Sequence, residues 1–190
     1  MALKKRPVNR PVNRDDAEVP AEGLRLWAPW RYAYLRSLLS DPKACIFCFG
    51  ALSDAERRER LILFENRDVF VMLNKYPYSN GHIMVAPRSH VASPEMLTRS
   101  DRALLGDAVA ASIKAMRENL HPQALNVGAN LGSAAGAGFA EHMHWHIVPR
   151  WTGDNNFMSV LASTRVLSQS LEDSYEQLRP IFKNLGAELS

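Results

Sequence analysis

The 190-residue chain has only two cysteines and no apolar run long enough to cross a membrane. Two cysteines exclude a disulfide framework and suit a reducing compartment. The basic start of the chain is not followed by the apolar stretch of about 7–15 residues that a secretory signal needs. We therefore expect a cytoplasmic protein with no membrane partner, and its 46% hydrophobic and 23% charged residues are typical of a folded domain.

A positive excess is missing from most of the chain, although the formal net charge is +3. Residues 1–14 contain five basic side chains and no acid, whereas the rest holds 18 basic and 20 acidic residues. The same segment repeats Pro-Val-Asn-Arg twice and offers too little apolar surface to fold. We predict a disordered basic and polar tail over residues 1–22, a single domain over residues 23–190, and no nucleic-acid partner.

Short apolar runs make up the rest of the chain. They predict strands at residues 61–65, 69–73, 82–87, 124–130 and 141–149. A helical period predicts a short helix after Ser53, a long helix over residues 100–120 and a C-terminal helix from Leu171. The expected inward face of the long helix is Leu105, Val109, Ile113, Met116 and Leu120. Because strands come in adjacent pairs, we expect an α+β fold with a mainly antiparallel five-stranded sheet, not a βαβ nucleotide-binding fold.

Histidine is concentrated at one place in the sequence. Three of the six histidines are His142, His144 and His146, which a strand would place on one face, opposite the apolar Met143, Trp145 and Ile147. A row of imidazoles is rarely a packing device, since each buried ring has two nitrogens to satisfy. The pattern indicates either a three-histidine metal site or a nucleophilic histidine with orienting neighbours. Cys45 and Cys48 have the spacing of a zinc half-site or a redox pair.

Several further motifs accompany the three histidines. Gly81-His82 opens a strand that ends at Pro87, Asn74 ends the strand before it, and Pro-Arg-Trp-x-Gly-Asp-x-Asn-Phe follows at 149–157. With the Cys-x-x-Cys, these motifs make residues 24–158 resemble the histidine triad (HIT) family, in particular bacterial members related to diadenosine tetraphosphate phosphorylases and hydrolases. The resemblance implies a HIT-like fold with a C-terminal helical extension.

The resemblance also implies the chemistry and the residues that perform it. His144 would be the nucleophile that attacks the α-phosphate of a nucleotide, with His146 and His82 near the phosphate or the leaving group. The implied substrate-binding positions are Asn74 at the ribose and, around the phosphates, Asn130, Gly132, Ser133 and Gly138. The family's usual Gln-Ser or Gln-Thr pair before the triad is replaced here by Gly-Phe-Ala-Glu at 138–141, so Ser133 or loop amides are expected to take over its contact.

Zinc-containing relatives imply a structural zinc on Cys45, Cys48, His90 and His142, and no organic cofactor. Members of the family pair into homodimers, so we expect a homodimer. The implied reaction is nucleotidyl transfer from a dinucleoside polyphosphate, through a covalent nucleotidyl-histidine, to phosphate or water. The alternatives are a nucleoside phosphoramidase, a zinc-stabilised nucleotide-binding or interaction module with little turnover, and a catalytic zinc held by the three triad histidines.

Overall fold

The structure is a computed structural model, and it describes residues 45–154 and 167–187. The predicted tail at residues 1–22 lies outside the described residues. So do residues 23–44, with which the predicted domain begins, and the Asn156-Phe157 end of the Pro-Arg-Trp motif.

The five predicted strands form one antiparallel sheet. They are β1 (Ile62–Glu65), β2 (Val69–Leu73), β3 (Ile83–Pro87), β4 (Ala124–Ala129) and β5 (Trp145–Arg150). Their order across the sheet is β1-β2-β3-β5-β4, and every neighbouring pair is antiparallel. The predicted α+β class with a mainly antiparallel five-stranded sheet is therefore confirmed.

The described residues form three α-helices beside the sheet: α1 (Asp54–Glu59), α2 (Arg99–Leu120) and α3 (Leu171–Lys183). Each begins at a hydroxyl N-cap, Ser53, Thr98 or Ser170, whose oxygen accepts a hydrogen bond from a first-turn backbone N–H. His121 ends α2 in the left-handed conformation at φ 46°. No helix in the described part of the chain is long and apolar enough to span a membrane.

One face of the sheet is covered by α2 and α3. Strand residues such as Val71, Val85 and Ile147 are fully buried there against Tyr175, Leu178 and Phe182 of α3. The buried residues of α2 are Leu105, Ala108, Ser112 and Met116. Only Leu105 and Met116 belong to the face that the hydrophobic period predicted. The two small residues on the buried face let the helix lie close to the sheet. The larger Val109, Ile113 and Leu120 pack at its margin, half-buried.

The opposite face of the sheet is covered by residues 45–50, which we call the Cys loop. Its Phe47 is buried against side chains of β1, β2 and β3, namely Ile62, Phe70, Met72, Met84 and Ala86. Strand side chains alternate between the two faces, so β3 and β2 are buried on both sides. The face that carries the Cys loop is therefore the one opposite α2 and α3.

Candidate active site and metal centre

The three histidines of the triad lie where β5 begins, on the face covered by the Cys loop. The predicted start of this strand at Glu141 was wrong: β5 begins at Trp145 and contains only His146. The reason is a different backbone partner, because the Met143 N–H donates to the carbonyl of Val91 at 2.7 Å, in the loop after β3. The predicted alternation is nevertheless confirmed, since Met143, Trp145 and Ile147 pack into the helix-side core.

The first triad residue belongs to a cluster of thiols and imidazoles. The Nδ1 of His90 lies 3.1 Å from the Cys48 Sγ, and the Nδ1 of His142 lies 3.5 Å from the Cys45 Sγ and 3.6 Å from the Cys48 Sγ. All four ligand atoms lie within 4.8 Å of one another. In tetrahedral zinc sites the Zn–S and Zn–N bonds of about 2.3 and 2.0 Å place sulfur and nitrogen roughly 3.6 Å apart. The four residues fit a metal ion, and the donor set of two thiols and two imidazoles is one that zinc uses.

The other nitrogen of His142 is already occupied. Its Nε2–H donates to the carbonyl oxygen of Pro87 at 2.9 Å. This bond fixes the neutral tautomer that leaves the Nδ1 lone pair towards the thiols, which is the outer hydrogen bond that a metal-ligating histidine commonly makes. His142 is fully buried, and this burial lowers its pKa, which favours the neutral form that a ligand needs.

The middle histidine is held in the opposite tautomer. His144 is 5% exposed, and its Nδ1–H donates to the carbonyl oxygen of His142 at 3.1 Å. With the proton on Nδ1, the Nε2 carries the lone pair. Burial lowers the pKa of His144, so the imidazole is neutral at pH 7 and its Nε2 is available as a nucleophile.

The third triad histidine is paired with His82 on β3. The Tyr78 N–H donates to the Nδ1 of His82 at 3.1 Å, so the His82 proton must be on Nε2. This Nε2–H donates to the Nδ1 of His146 at 3.0 Å, which in turn places the His146 proton on its own Nε2. Burial, and then the charge of the neighbouring histidines, lowers the pKa of His82 to about 3 and that of His146 to about 4. The pair is therefore a chain of neutral imidazoles that ends in one N–H donor.

The three triad rings do not converge on one ion. The Nδ1 of His142 faces the two thiols, that of His144 donates to a backbone carbonyl, and that of His146 accepts from His82. Among the described residues, the cluster of cysteine, histidine or acidic ligands that suits a metal is the one at 45, 48, 90 and 142. This geometry speaks against the alternative in which the triad itself holds a catalytic zinc.

Asn74 lies beside His82, directly after β2. Its side-chain oxygen accepts from the Tyr76 N–H at 2.9 Å, and its side-chain nitrogen lies 3.4 Å from the Nδ1 of His82. Its backbone N–H donates to the carbonyl of His82 at 2.9 Å, so it also ties β2 to the start of β3. The structure therefore places Asn74 next to the catalytic candidates, in a half-buried position.

The glycine-rich loop at 130–138 contains a 3-10 turn, Ser133–Ala135. Gly132 and Gly136 have φ values of 82° and 91°, which require glycine, and the Asn130 side chain lies next to Gly136. The N–H groups of Ala135, Gly136 and Ala137 donate to carbonyls within the loop, so they hold its shape. The loop is therefore ordered by its own hydrogen bonds, with Gly132, Ser133 and Gly138 exposed.

Two aromatic residues at the site were missed by the sequence reasoning. The ring of Phe47 lies 4.7 Å from that of His144 and 5.3 Å from that of His142, measured between centroids. Tyr78, which is 49% exposed, lies 4.7 Å from the His82 ring and is stacked at 6.0 Å on the His146 ring. Their places in the sequence, between the two cysteines and four residues before His82, are the only signals that could have indicated them.

The sequence and the fold both match known proteins. The model of the family described as HIT domain matches residues 56–153. A Mycobacterium tuberculosis protein named AP-4-A phosphorylase is 36% identical over 155 residues, which cover 79% of this chain and 80% of the relative. Both findings fall on the segment that carries the triad, Asn74 and His82.

Solved structures with the same fold include a zinc-bound histidine triad family protein from Mycobacterium smegmatis. It is 26% identical, with a TM-score of 0.51 over 67% of this chain and 86% of that one. A hypothetical histidine triad nucleotide-binding protein from Sulfolobus tokodaii is also 26% identical, with a TM-score of 0.57 over 76% of this chain and 93% of that one. The geometry of the triad, the matched domain and these structural relatives lead to one conclusion: the chain belongs to the histidine triad (HIT) family.

Proposed function

We propose that the protein transfers a nucleotidyl group from a dinucleoside polyphosphate, such as diadenosine tetraphosphate, to inorganic phosphate through a covalent intermediate on His144. Membership of the HIT family and the AP-4-A phosphorylase relative support a nucleotide-processing enzyme. The observation that carries the proposal is the buried, neutral His144, whose Nδ1–H is bound to the His142 carbonyl and whose Nε2 lone pair is free of that bond.

In the first step, the Nε2 of His144 attacks the α-phosphorus of the substrate. A P–N bond forms, the bond from phosphorus to the bridging oxygen breaks, and the remaining nucleotide leaves. The hydrogen bond to the His142 carbonyl stabilises the positive charge that develops on the attacking ring. The Nε2–H of His146 donates a hydrogen bond to the departing oxygen, which leaves as a phosphate anion.

The His82–His146 pair is suited to donate this hydrogen bond because both rings are neutral and each carries its proton on Nε2. The His82 Nε2–H donates to the Nδ1 of His146 at 3.0 Å, so His146 must present its own Nε2–H as a hydrogen-bond donor. The Tyr78 N–H keeps the opposite side of His82 unprotonated. The order of protons in the chain is therefore fixed before the substrate binds.

In the second step, an acceptor oxygen attacks the same phosphorus and releases His144. With phosphate as the acceptor, diadenosine tetraphosphate yields ATP in the first step and ADP in the second. With water, the second product is AMP. The name of the M. tuberculosis relative favours phosphate.

Asn74 is proposed to hold the ribose hydroxyls, and Asn130, Gly132, Ser133 and Gly138 the phosphates. Asn74 is supported by its contact with His82, and the loop by its connection to the triad through Phe139, whose ring packs on Phe47 at 5.5 Å. Because three of the loop amides are used internally, we expect the exposed Ser133 hydroxyl to contact phosphate, in place of the family's Gln-Ser or Gln-Thr pair.

Zinc is the metal proposed for Cys45, Cys48, His90 and His142. The cluster geometry and the zinc-bound relative from M. smegmatis support it. When bound, zinc would cross-link the Cys loop to the segments after β3 and before β5 and so stabilise the fold. A cytoplasmic location, which the sequence predicts, would keep both thiols available as ligands.

A homodimer through β4 is the assembly we propose. β4 is an edge strand that pairs with β5 alone in the described sheet, and Val127 on it is 40% exposed. An exposed edge with an apolar side chain favours pairing with another chain.

The test is product analysis from diadenosine tetraphosphate with and without inorganic phosphate. We expect ADP and ATP in equal amounts when phosphate is present, and labelled phosphate should appear in the ADP. AMP and ATP without any need for phosphate would show a hydrolase instead. Release of an amine from a nucleoside phosphoramidate, with no cleavage of the dinucleotide, would overturn the proposal in favour of a phosphoramidase.

A further inference from the structure

Phe47 stands in the middle of the Cys loop and yet contacts the proposed nucleophile. It is 2% exposed, so its ring is a fixed part of the interior. The ring lies 4.7 Å from the His144 ring at an interplanar angle of 39°, and 5.3 Å from the His142 ring. Phe139 meets it edge-on at 5.5 Å and Phe70 lies at 6.1 Å.

We propose that Phe47 is a positioning residue for His144, by which the Cys loop sets the orientation of the nucleophilic imidazole. This inference rests on the proposed function, in which His144 is the nucleophile. It adds a role for the Cys loop that goes beyond binding a metal.

The need for such a residue follows from how His144 is held. It has one described hydrogen bond, from Nδ1 to the His142 carbonyl, and its ring meets the His146 ring edge-on at 4.9 Å between centroids. An in-line attack at phosphorus requires the Nε2 lone pair to keep one direction. The Phe47 ring, packed against the imidazole at 4.7 Å, supplies a further constraint that comes from the Cys loop.

The Cys loop is built to hold Phe47 still. The residue lies between two cysteines of the metal cluster, and the Cys48 N–H donates to the carbonyl of Cys45 at 3.1 Å, which closes a turn around it. The sulfurs of both cysteines lie within 3.6 Å of the Nδ1 of His142. His142 and Phe47 are therefore tied to the same cluster, and both contact His144, one through its carbonyl and one through its ring.

Phe49 provides a matched control in the same loop. Its ring packs on Phe70 at 5.0 Å and under the Arg88 guanidinium at 4.5 Å. Among the described ring contacts it has none with the triad. Phe47→Leu and Phe49→Leu thus remove the same ring from the same loop, and only the first removes a contact with His144.

The experiment compares the full-length chain with these two variants, using three measurements on each. The first is zinc content after purification, the second is kcat and KM for diadenosine tetraphosphate with phosphate, and the third is the histidine ¹⁵N NMR spectrum at pH 8 without substrate. For Phe47→Leu we expect retained zinc, a fall in kcat on the order of 10- to 100-fold, and KM changed by less than about threefold. The His144 ¹⁵N signals should broaden or move towards those of mixed tautomers, whereas Phe49→Leu should match the unmodified chain in all three.

Phe47→Leu with unchanged kcat and unchanged His144 signals would overturn the inference, and so would equal losses in both variants. If Phe47→Leu loses its zinc, Phe47→Met, which restores side-chain length, replaces it. Loss of zinc in that variant too would show a purely structural role and would also overturn the inference. The NMR measurement needs no substrate, so absence of turnover in the unmodified chain would defeat the proposed function alone.

Discussion

The two ends of the histidine row use the same side chain in opposite ways. At the metal end, formed by Cys45, Cys48, His90 and His142, the Nδ1 lone pairs face thiols. At the relay end, formed by His82 and His146, each Nδ1 accepts an N–H from its neighbour. His144 lies between the ends, and its Nδ1–H donates to the carbonyl oxygen of His142.

The difference shows that the role of a histidine is decided by the partner of its other nitrogen. The Pro87 carbonyl fits His142 to the proposed role of ligand, the His142 carbonyl fits His144 to the proposed role of nucleophile, and the Tyr78 N–H orients His82 and then His146 as N–H donors. Three backbone groups thus set the tautomers of four similar side chains. The comparison predicts that changes at the metal end alter metal content and stability, whereas changes at the relay end alter the dependence of stability on pH.

The largest effect is expected at His144, between the two ends. His144→Ala removes the proposed nucleophile, so turnover of diadenosine tetraphosphate should fall by at least on the order of 10³-fold. Zinc content should be unchanged, because the metal end does not use this side chain. Steady-state kinetics and metal analysis check both points. His121→Asn is the matched control, since Asn tolerates the left-handed end of α2, and turnover retained by His144→Ala would defeat the mechanism.

Removing the metal should act mainly on stability. A ligand present 1,000-fold above its Kd stabilises the folded state by about 4 kcal/mol, so chelation of zinc should lower the free energy of unfolding by roughly that amount. Urea unfolding with and without a chelator measures it. The Cys45→Ser/Cys48→Ser variant should be unstable to a similar degree and should not respond to the chelator. An equal response of that variant would show that the metal lies elsewhere.

Low pH should destabilise the fold because the relay end holds two buried neutral histidines. His82 and His146, with pKa values of about 3 and 4, stay neutral in the fold, whereas histidine in the unfolded chain binds a proton below about pH 6.5. The unfolded state then holds more protons, so stability falls as pH falls, by roughly 1.4 kcal/mol per pH unit for each group. Urea unfolding between pH 7 and 4 should show a shallower loss for His82→Gln than for the unmodified chain. An equal loss of stability with falling pH in both proteins would contradict the low pKa of His82.

The smallest effect is expected at Tyr78, which partly covers the relay end. Tyr78→Ala keeps the backbone N–H that sets the His82 tautomer but removes the ring stacked on His146. Greater access of water should raise the pKa of His146 towards its ordinary value, by about one unit or less. NMR titration of His146 measures the change, and Tyr78→Phe, which keeps the ring, should show none. A fall in that pKa would refute the covering role.

Much of the fold was predictable because local pattern and tertiary structure agree. β2 lies at the predicted residues 69–73, and the long helix begins at Arg99, one residue from its predicted start. The start of β5 was misplaced because the backbone N–H of Met143, within the predicted strand, donates to the carbonyl of Val91, a partner distant in the sequence. The buried face of α2 was misjudged because Ala108 and Ser112 are small, and hydrophobic period gives them little weight.

The metal cluster was predictable only with the family resemblance. Spacing gave Cys45 and Cys48, while His90 and His142 came from relatives, and the structure brings all four together. The tautomers were beyond the sequence, because they depend on the Tyr78 N–H and on the carbonyls of Pro87 and His142, which every residue type possesses. Phe47 was missed for a similar reason, since its place in the site depends on its contacts with the rings of His142 and His144, which the sequence does not show.

In the proposed site, the His142 side chain binds the metal and the His142 carbonyl orients the nucleophile, and evolution could keep either function without the other. Any residue at position 142 provides a backbone carbonyl, so a lineage that lost both cysteines could replace this histidine and still fix the tautomer at position 144. Replacement of His144 with the four proposed metal ligands retained would instead leave a metal-stabilised protein without its proposed nucleophile. One peptide unit therefore lets the two halves of the site diverge in evolution at different rates.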